Sequence, residues 1–270
     1  MIGLRSRRIF SIVITLMAIG LAWQAYHWFD YQLGRPDFYS GYTLLATMVL
    51  LWLLPLRKRL VVLKLGAVSG WLQLHQYAGV FGLAIFFMHV GWPIYGLLEI
   101  VLATTFLFVS GTGLMTWYLN RTIPKKLRVA GKARILEDTP GLRVQLAQRA
   151  YAVAMQAAGK AESASLAEHY VARLVQFFQQ PRSLAYQFVP TGRLRRSHLE
   201  SLERLDRYLG PDGRTARQEL SRLVQEKDDL DYQEALQRRL RVWKNLHVVL
   251  LWFLAIMTGV HVVLAHRFHG

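Results

Sequence analysis

The chain of 270 residues contains no cysteine. That excludes disulfides, thiolate-bound zinc, cysteine-ligated iron–sulfur clusters and thioether-attached haem. Any redox group must be held by other ligands. Charge is also scarce. Asp, Glu, Lys and Arg make up 19% of the residues, against about 25% in a typical soluble domain. Acidic residues are the rarer sign, 17 against 33 basic ones. The basic excess is not laid out as a face with regularly interleaved aromatics, so nucleic acid is not an expected partner. The polar middle of the chain holds neither G-x-G-x-x-G nor G-x-x-x-x-G-K-[ST]. No phosphate cradle of those kinds is available for a flavin or nicotinamide.

What is present is apolar length. Hydrophobic residues reach 53%, and they gather in runs. A bilayer crossing needs about 20 mostly apolar residues. Five spans are expected, at residues 9–28, 42–56, 68–90, 97–119 and 243–265, the second ending near Pro55. The first run reads as a retained helix rather than a signal peptide, because it is long and no small-x-small site closes it. The lipid bilayer is therefore the first partner.

Basic residues beside spans mark the cytoplasmic side. Arg5, Arg7 and Arg8 precede the first span, and Arg57, Lys58, Arg59 and Lys64 follow the second. Arg121, Lys125, Lys126 and Arg128 follow the fourth, and Arg238, Arg239, Arg241 and Lys244 precede the fifth. All four clusters fall on one side. The N-terminus is thus expected in the cytoplasm and the C-terminus outside. The expected fold is an all-α membrane protein with a helical cytoplasmic insert between its fourth and fifth spans. Residues 1–120 would form the first four helices, 121–242 the insert, and 243–270 the fifth helix with a short outer tail. Within the insert, helical spacing of apolar residues covers 142–158, 166–178, 198–209 and 216–243. No breaker separates Arg214 from His247, so the last helix should run straight into the fifth span. The acidic run Asp228-Asp229-Leu230-Asp231 reads as a set of salt-bridge partners within the insert.

The third span reads WLQLHQYAGVFGLAIFFMHVGW, with His75 and His89, and the fifth carries His247 and His261. Each pair is fourteen residues apart. That interval returns nearly to the same helical face and separates the rings by about 21 Å along the axis. With one span between them, the two helices run parallel. His75 then shares a level with His247, and His89 with His261. Ionisable groups inside a bilayer are costly and mark function. Two imidazoles at each level suit the axial positions of a haem iron, and bis-axial ligation favours electron transfer over oxygen chemistry. Two haem b are expected, the inner on His75 and His247, the outer on His89 and His261. Gly79, Gly82 and Gly111 are small enough to flank the rings. Arg57, Arg59, Arg241 and Lys244 inside, with Arg267 outside, could meet the anionic propionates. Structural histidines bonded between helices, or a metal-transport path, are the competing readings. The second normally needs acidic or thiol partners, and the spans hold only Glu99. His27, His169, His198, His266 and His269 read as interfacial or surface positions.

Paired histidines at this spacing on two parallel helices resemble the dihaem core of cytochrome b, and are similar to the transmembrane part of ferric reductases and NADPH oxidases. The stretches KDDLDYQEALQRRLRVWKNLH and SGTGLMTWYLNRTIPKKL resemble those of a group of bacterial dihaem membrane proteins with a helical insert. The resemblance implies a subunit of a larger redox complex in the bacterial cytoplasmic membrane. It would exchange electrons with quinone and with an extracytoplasmic cytochrome or iron–sulfur protein. A ferric or superoxide-forming reductase subunit fed by a separate flavoprotein is the alternative, as is a non-redox scaffold or sensor.

Overall fold

A computed structural model describes residues 4–32, 34–59, 67–91, 93–129, 136–159 and 163–269. Among these residues the chain is all-helical, without a strand. Its helices are α1 (Leu4–Tyr31), α2 (Pro36–Arg59), α3 (Val68–His89), α4 (Leu97–Val129), α5 (Thr139–Ala158), α6 (Ala164–His169), α7 (Val175–Gln179), α8 (Leu184–Phe188), α9 (Arg193–Glu203) and α10 (Pro211–His269). Their starts follow simple chemistry. Pro36 and Pro211 open α2 and α10, where a missing N–H costs nothing. Asp37 and Asp212 follow in the first turns, where negative charge meets the positive end of the helix dipole. Gly210-Pro211-Asp212-Gly213 has the composition of a turn, yet the helix begins at its second residue. As expected from the absence of a breaker, α10 runs unbroken through 59 residues.

Among the described residues, four helical stretches are long and apolar enough to cross a membrane: Ile9–Tyr31, Pro36–Leu54, Leu97–Leu127 and Pro211–Phe268. α3 is not among them. Gln73, His75, Gln76 and His89 lower its hydropathy, so the helix with two of the candidate ligands is the one those ligands make less apolar. The second span was expected to end at Pro55, yet α2 continues to Arg59. Proline removes one intrahelical bond, the one its own N–H would make to Leu51. That carbonyl finds another donor, described below.

The chain divides into two compact units, and the division falls inside α4 and inside α10. The first is Met1–Leu114 with Val248–Gly270, and the second is Met115–His247. In the first, Leu44 and Met48 of α2, Ile85 and Phe86 of α3, Phe106 of α4 and Leu254 of α10 form the core. The Phe86 and Phe106 rings stack with centroids 4.4 Å apart. The outward faces are equally apolar: Phe10, Leu16, Phe108, Trp252, Ile256 and Val263 are all exposed. Such surface suits hydrocarbon and not water. Strand-like exchange plays no part, so helix direction follows from ring contacts. Tyr42 meets His266 and Trp52 meets Trp252, which sets α2 antiparallel to this part of α10. α2 is likewise antiparallel to α3, because Asp37 meets His89 and Leu51 meets His75. α3 and the end of α10 therefore run parallel.

The second unit, Met115–His247, has a core of its own. Leu166, Leu174, Phe178, Leu202, Leu220 and Leu223 are buried in one core. Beside it lies a buried charge network. Lys227 bonds Asp231 at 2.5 Å, Arg182 bonds Asp228 at 2.5 Å, and Arg143 bonds Glu234 at 2.5 Å. The acidic run thus pairs within its own unit. Burial pushes the Lys227 ammonium down and the Asp231 carboxyl up, each against the attraction of the other. α8 was not anticipated from sequence. His198, read as a surface position, is buried against the Phe177 ring, 4.8 Å away. Its polar neighbours along α9 hid that role.

Candidate functional site

His89 closes the last turn of α3, and the helix ends where the chain turns out at Val90. Its ring faces His261 of α10 with centroids 6.2 Å apart and planes inclined by 83°. Its Nδ1 lies 3.2 Å from the Asp37 carbonyl and 3.2 Å from Ser40 Oγ, both at the start of α2. A carbonyl can only accept, so Nδ1 carries the proton and Nε2 keeps its lone pair. Ser40 is itself buried and its hydroxyl lies 3.0 Å from the carbonyls of Pro36 and Asp37. It can donate to one of them while accepting from His89. Gly41 completes the seat: a Cβ there would stand 2.9 Å from His89 Cε1. Only glycine lets the ring lie this close.

His89 and His261 line a cavity of about 420 Å³ together with Leu44, Met48, Phe86 and Phe106. That size falls in the range of about 300–1,000 Å³ typical of ligand pockets. Arg35, Asp37 and Glu99 also reach it, and so does His266. His266 was expected to be merely solvent-exposed. It is exposed, but it accepts the Tyr42 hydroxyl at 2.5 Å while its Nδ1 donates to the Val262 carbonyl at 2.8 Å.

The other expected site residues are placed as follows. His75 is half-buried on α3, with Nδ1 3.2 Å from the Leu51 carbonyl. By the same reasoning as for His89, its proton is on Nδ1. His247 is half-buried on α10 in the second unit. Gly82 packs against α2, where a Cβ would approach Thr47 Cγ2 at 3.2 Å. A Cβ at Gly79 or Gly111 would meet nothing within 4 Å, so open space adjoins both. Lys244 is exposed on α10. The side chains of Arg57 and Arg59 lie outside the described residues. Arg35 is the cation that adjoins the outer cavity, a residue the basic-cluster reading passed over because it stands alone.

Do these residues fit a haem? Two imidazoles on opposite sides of one metal, at about 2.0–2.1 Å per bond and about 1.1 Å from nitrogen to ring centre, put the centroids about 6.3 Å apart. His89 and His261 stand at 6.2 Å. Among the described residues, no group of three or more His, Asp or Glu could hold a bare ion. His89 and His261 offer two imidazole donors, and a porphyrin would bring its own four nitrogens. The apolar walls suit the macrocycle. The residues therefore fit.

Sequence reasoning found the histidines but missed Ser40, Gly41 and the Asp37 carbonyl. The only signal was a Ser-Gly pair opening a span, which means nothing until α3 is laid against it. No protein-family model matches this chain, and no curated protein and no solved structure matches it.

Proposed function

We propose that this chain is a dihaem b-type cytochrome that carries electrons across the bacterial cytoplasmic membrane as a subunit of a larger redox complex. One observation carries the reading: the 6.2 Å separation of His89 and His261 on parallel helices. These two would hold the outer haem b, and His75 with His247 the inner one. The inner pair rests on the equal fourteen-residue spacing in both helices. In this reading α3 is a fifth span, the segment 121–242 is cytoplasmic, and the C-terminus is outside. Bound haem supplies a reversible one-electron couple. The chain's own residues do the rest. His89 with His261, and His75 with His247, would hold the two groups, and ligation by two histidines would favour electron transfer over oxygen chemistry. Leu44, Met48, Phe86 and Phe106 give the outer cavity apolar walls. Arg35 stands where a propionate could be neutralised. Quinone in the lipid phase and an extracytoplasmic cytochrome or iron–sulfur protein are the proposed redox partners.

The test is a reduced-minus-oxidised spectrum with a haem-to-protein ratio on the wild type, His75→Ala and His261→Ala. Two low-spin b haems, with each substitution removing a different one, support the reading. A colourless protein from haem-replete cells would overturn it. The 83° angle between the His89 and His261 planes adds a signature. Held around a haem at that angle, the two imidazoles would leave the two π-symmetry iron orbitals nearly equal in energy. The ferric outer haem should then give a strongly anisotropic low-spin resonance, which His261→Ala abolishes.

A further inference from the structure

α2 carries none of the four histidines, yet it meets both of those on α3. The carbonyls it offers, Asp37 and Leu51, are fourteen residues apart, as are His89 and His75. Two antiparallel helices in register bring both pairs together at once. The two carbonyls differ in origin. Asp37 sits in the first turn, and its contact with His89 is shared with Ser40 Oγ. Leu51 lies deep inside α2, where a carbonyl ordinarily accepts from the residue four positions on. That residue is Pro55, which has no N–H to give. The Leu51 carbonyl is therefore spared its usual helical donor, and His75 Nδ1 stands 3.2 Å from it.

We infer that α2 is the orienting helix for both axial histidines of α3, with Pro55 and Ser40 as its positioning residues. The inference rests on the dihaem reading. Pro55 acts by subtraction: it leaves the Leu51 carbonyl to His75 and so fixes the Nδ1–H tautomer that turns Nε2 toward a metal. Ser40 acts by addition, accepting from His89 beside the Asp37 carbonyl. A histidine whose second nitrogen donates to a carbonyl is a more basic ligand, and losing such a partner typically costs about 10–100-fold in metal affinity or activity. A more basic ligand favours ferric over ferrous iron. Weakening the bond should raise the midpoint potential of that haem and leave the other alone.

The experiment is a redox titration of the purified full-length protein, wild type against Pro55→Ala, Ser40→Ala and, as a control, Pro124→Ala in α4. His75→Ala and His261→Ala assign the two haem signals. Pro55→Ala restores an N–H and improves helix propensity, so a fold broken at α2 is not the expected result. The expected result is a rise in the potential of the His75 haem equivalent to about tenfold in the ferric/ferrous equilibrium, which is about 59 mV for one electron. Ser40→Ala should move only the His261 haem, and by less, because the Asp37 carbonyl remains. Pro124→Ala should move neither. Loss of the His75 haem alone in Pro55→Ala would support the same conclusion. A dihaem wild type whose potentials are unchanged in Pro55→Ala, or shift equally for both haems, overturns the inference and spares the dihaem reading. A wild type without haem overturns that reading itself.

Discussion

The two units of this protein answer the same problem, a buried polar group, in opposite ways. In the first unit, buried hydroxyls turn inward to their own helix: Thr15 to Ser11, Thr47 to Thr43 and Thr112 to Phe108, at 2.8, 2.8 and 2.9 Å. In the second, buried ionisable side chains meet an opposite, along α10 itself for Lys227 and Asp231 and across the packing for Arg182 and Arg143. Lys227 is completely buried on Asp231, and Arg182 reaches both Asp228 and Asp231. Local bonds suffice where the surroundings are apolar. Long-range pairs are needed where a unique packing of short helices must be specified. This makes the exceptions in the first unit informative. Its cross-helix hydrogen bonds gather on His75, His89 and His266, with Gln73 to Ser11 beside them.

The sharpest way to break the contrast is to remove one charge from the second unit. Lys227→Met leaves Asp231 buried with Arg182 and Arg143 as its remaining cations, 3.2 and 3.7 Å away. Breaking a buried pair costs about 3–5 kcal/mol. The remaining cations should hold the loss to the lower end of that range. Urea unfolding of the purified protein would measure it, and the double variant Lys227→Met with Asp231→Leu should recover much of the loss. If both variants unfold like the wild type, the network is not what holds this unit.

A smaller effect is expected in the first unit from Gly41→Ala. The new methyl would stand 2.9 Å from His89 Cε1, so the ring or the α2 backbone must move. Overpacking of this kind costs about 1–3 kcal/mol. On the dihaem reading proposed above, the readout that matters is the outer haem: its absorbance or its anisotropic ferric resonance should change while the inner haem keeps its own. Gly79→Ala, which meets no protein atom within 4 Å, provides the comparison. Equal behaviour of the two variants would show that the His89 seat is not tight.

These variants also mark how far the sequence could be read. The paired histidines were legible because each fourteen-residue pair lies on a single helix, where spacing alone fixes face and separation. The continuity of α10 was legible for the same reason, since breaking a helix requires residues that are absent between Arg214 and His247. Ser40, Gly41 and the Leu51 carbonyl were not legible. Each matters only through α3, and a backbone carbonyl has no letter in the sequence. Pro55 was read as the end of a span because local rules make proline a breaker, whereas a histidine from another helix stands at the carbonyl it leaves. The same blindness applied to His198. A histidine among arginines on a short helix looks solvated until Phe177 packs on it.

His198 offers the smallest and most selective test of the comparison. Burial holds its pKa below the ordinary histidine value, and Arg182, His169 and Arg173 push in the same direction. His169, bonded to Ser201 at 3.1 Å, is lowered too, by burial first and then by Arg173 and Arg204. Both rings therefore take up a proton less readily in the folded unit than in the unfolded chain, where they titrate near about 6.5. The sign follows from linkage: below that value the unfolded state binds protons that the folded state refuses. The contribution of these rings is complete above about pH 6.5 and is lost as the pH falls toward their folded values. Hydrogen exchange, corrected for its intrinsic pH dependence, should show residues 193–209 losing protection between pH values on either side of that point. His198→Phe keeps an aromatic ring against Phe177 and removes the proton site, so it should flatten most of the change. If 193–209 loses protection equally in His198→Phe, the sensitivity lies elsewhere, and the charged network around Lys227 and Asp231 becomes the group to titrate.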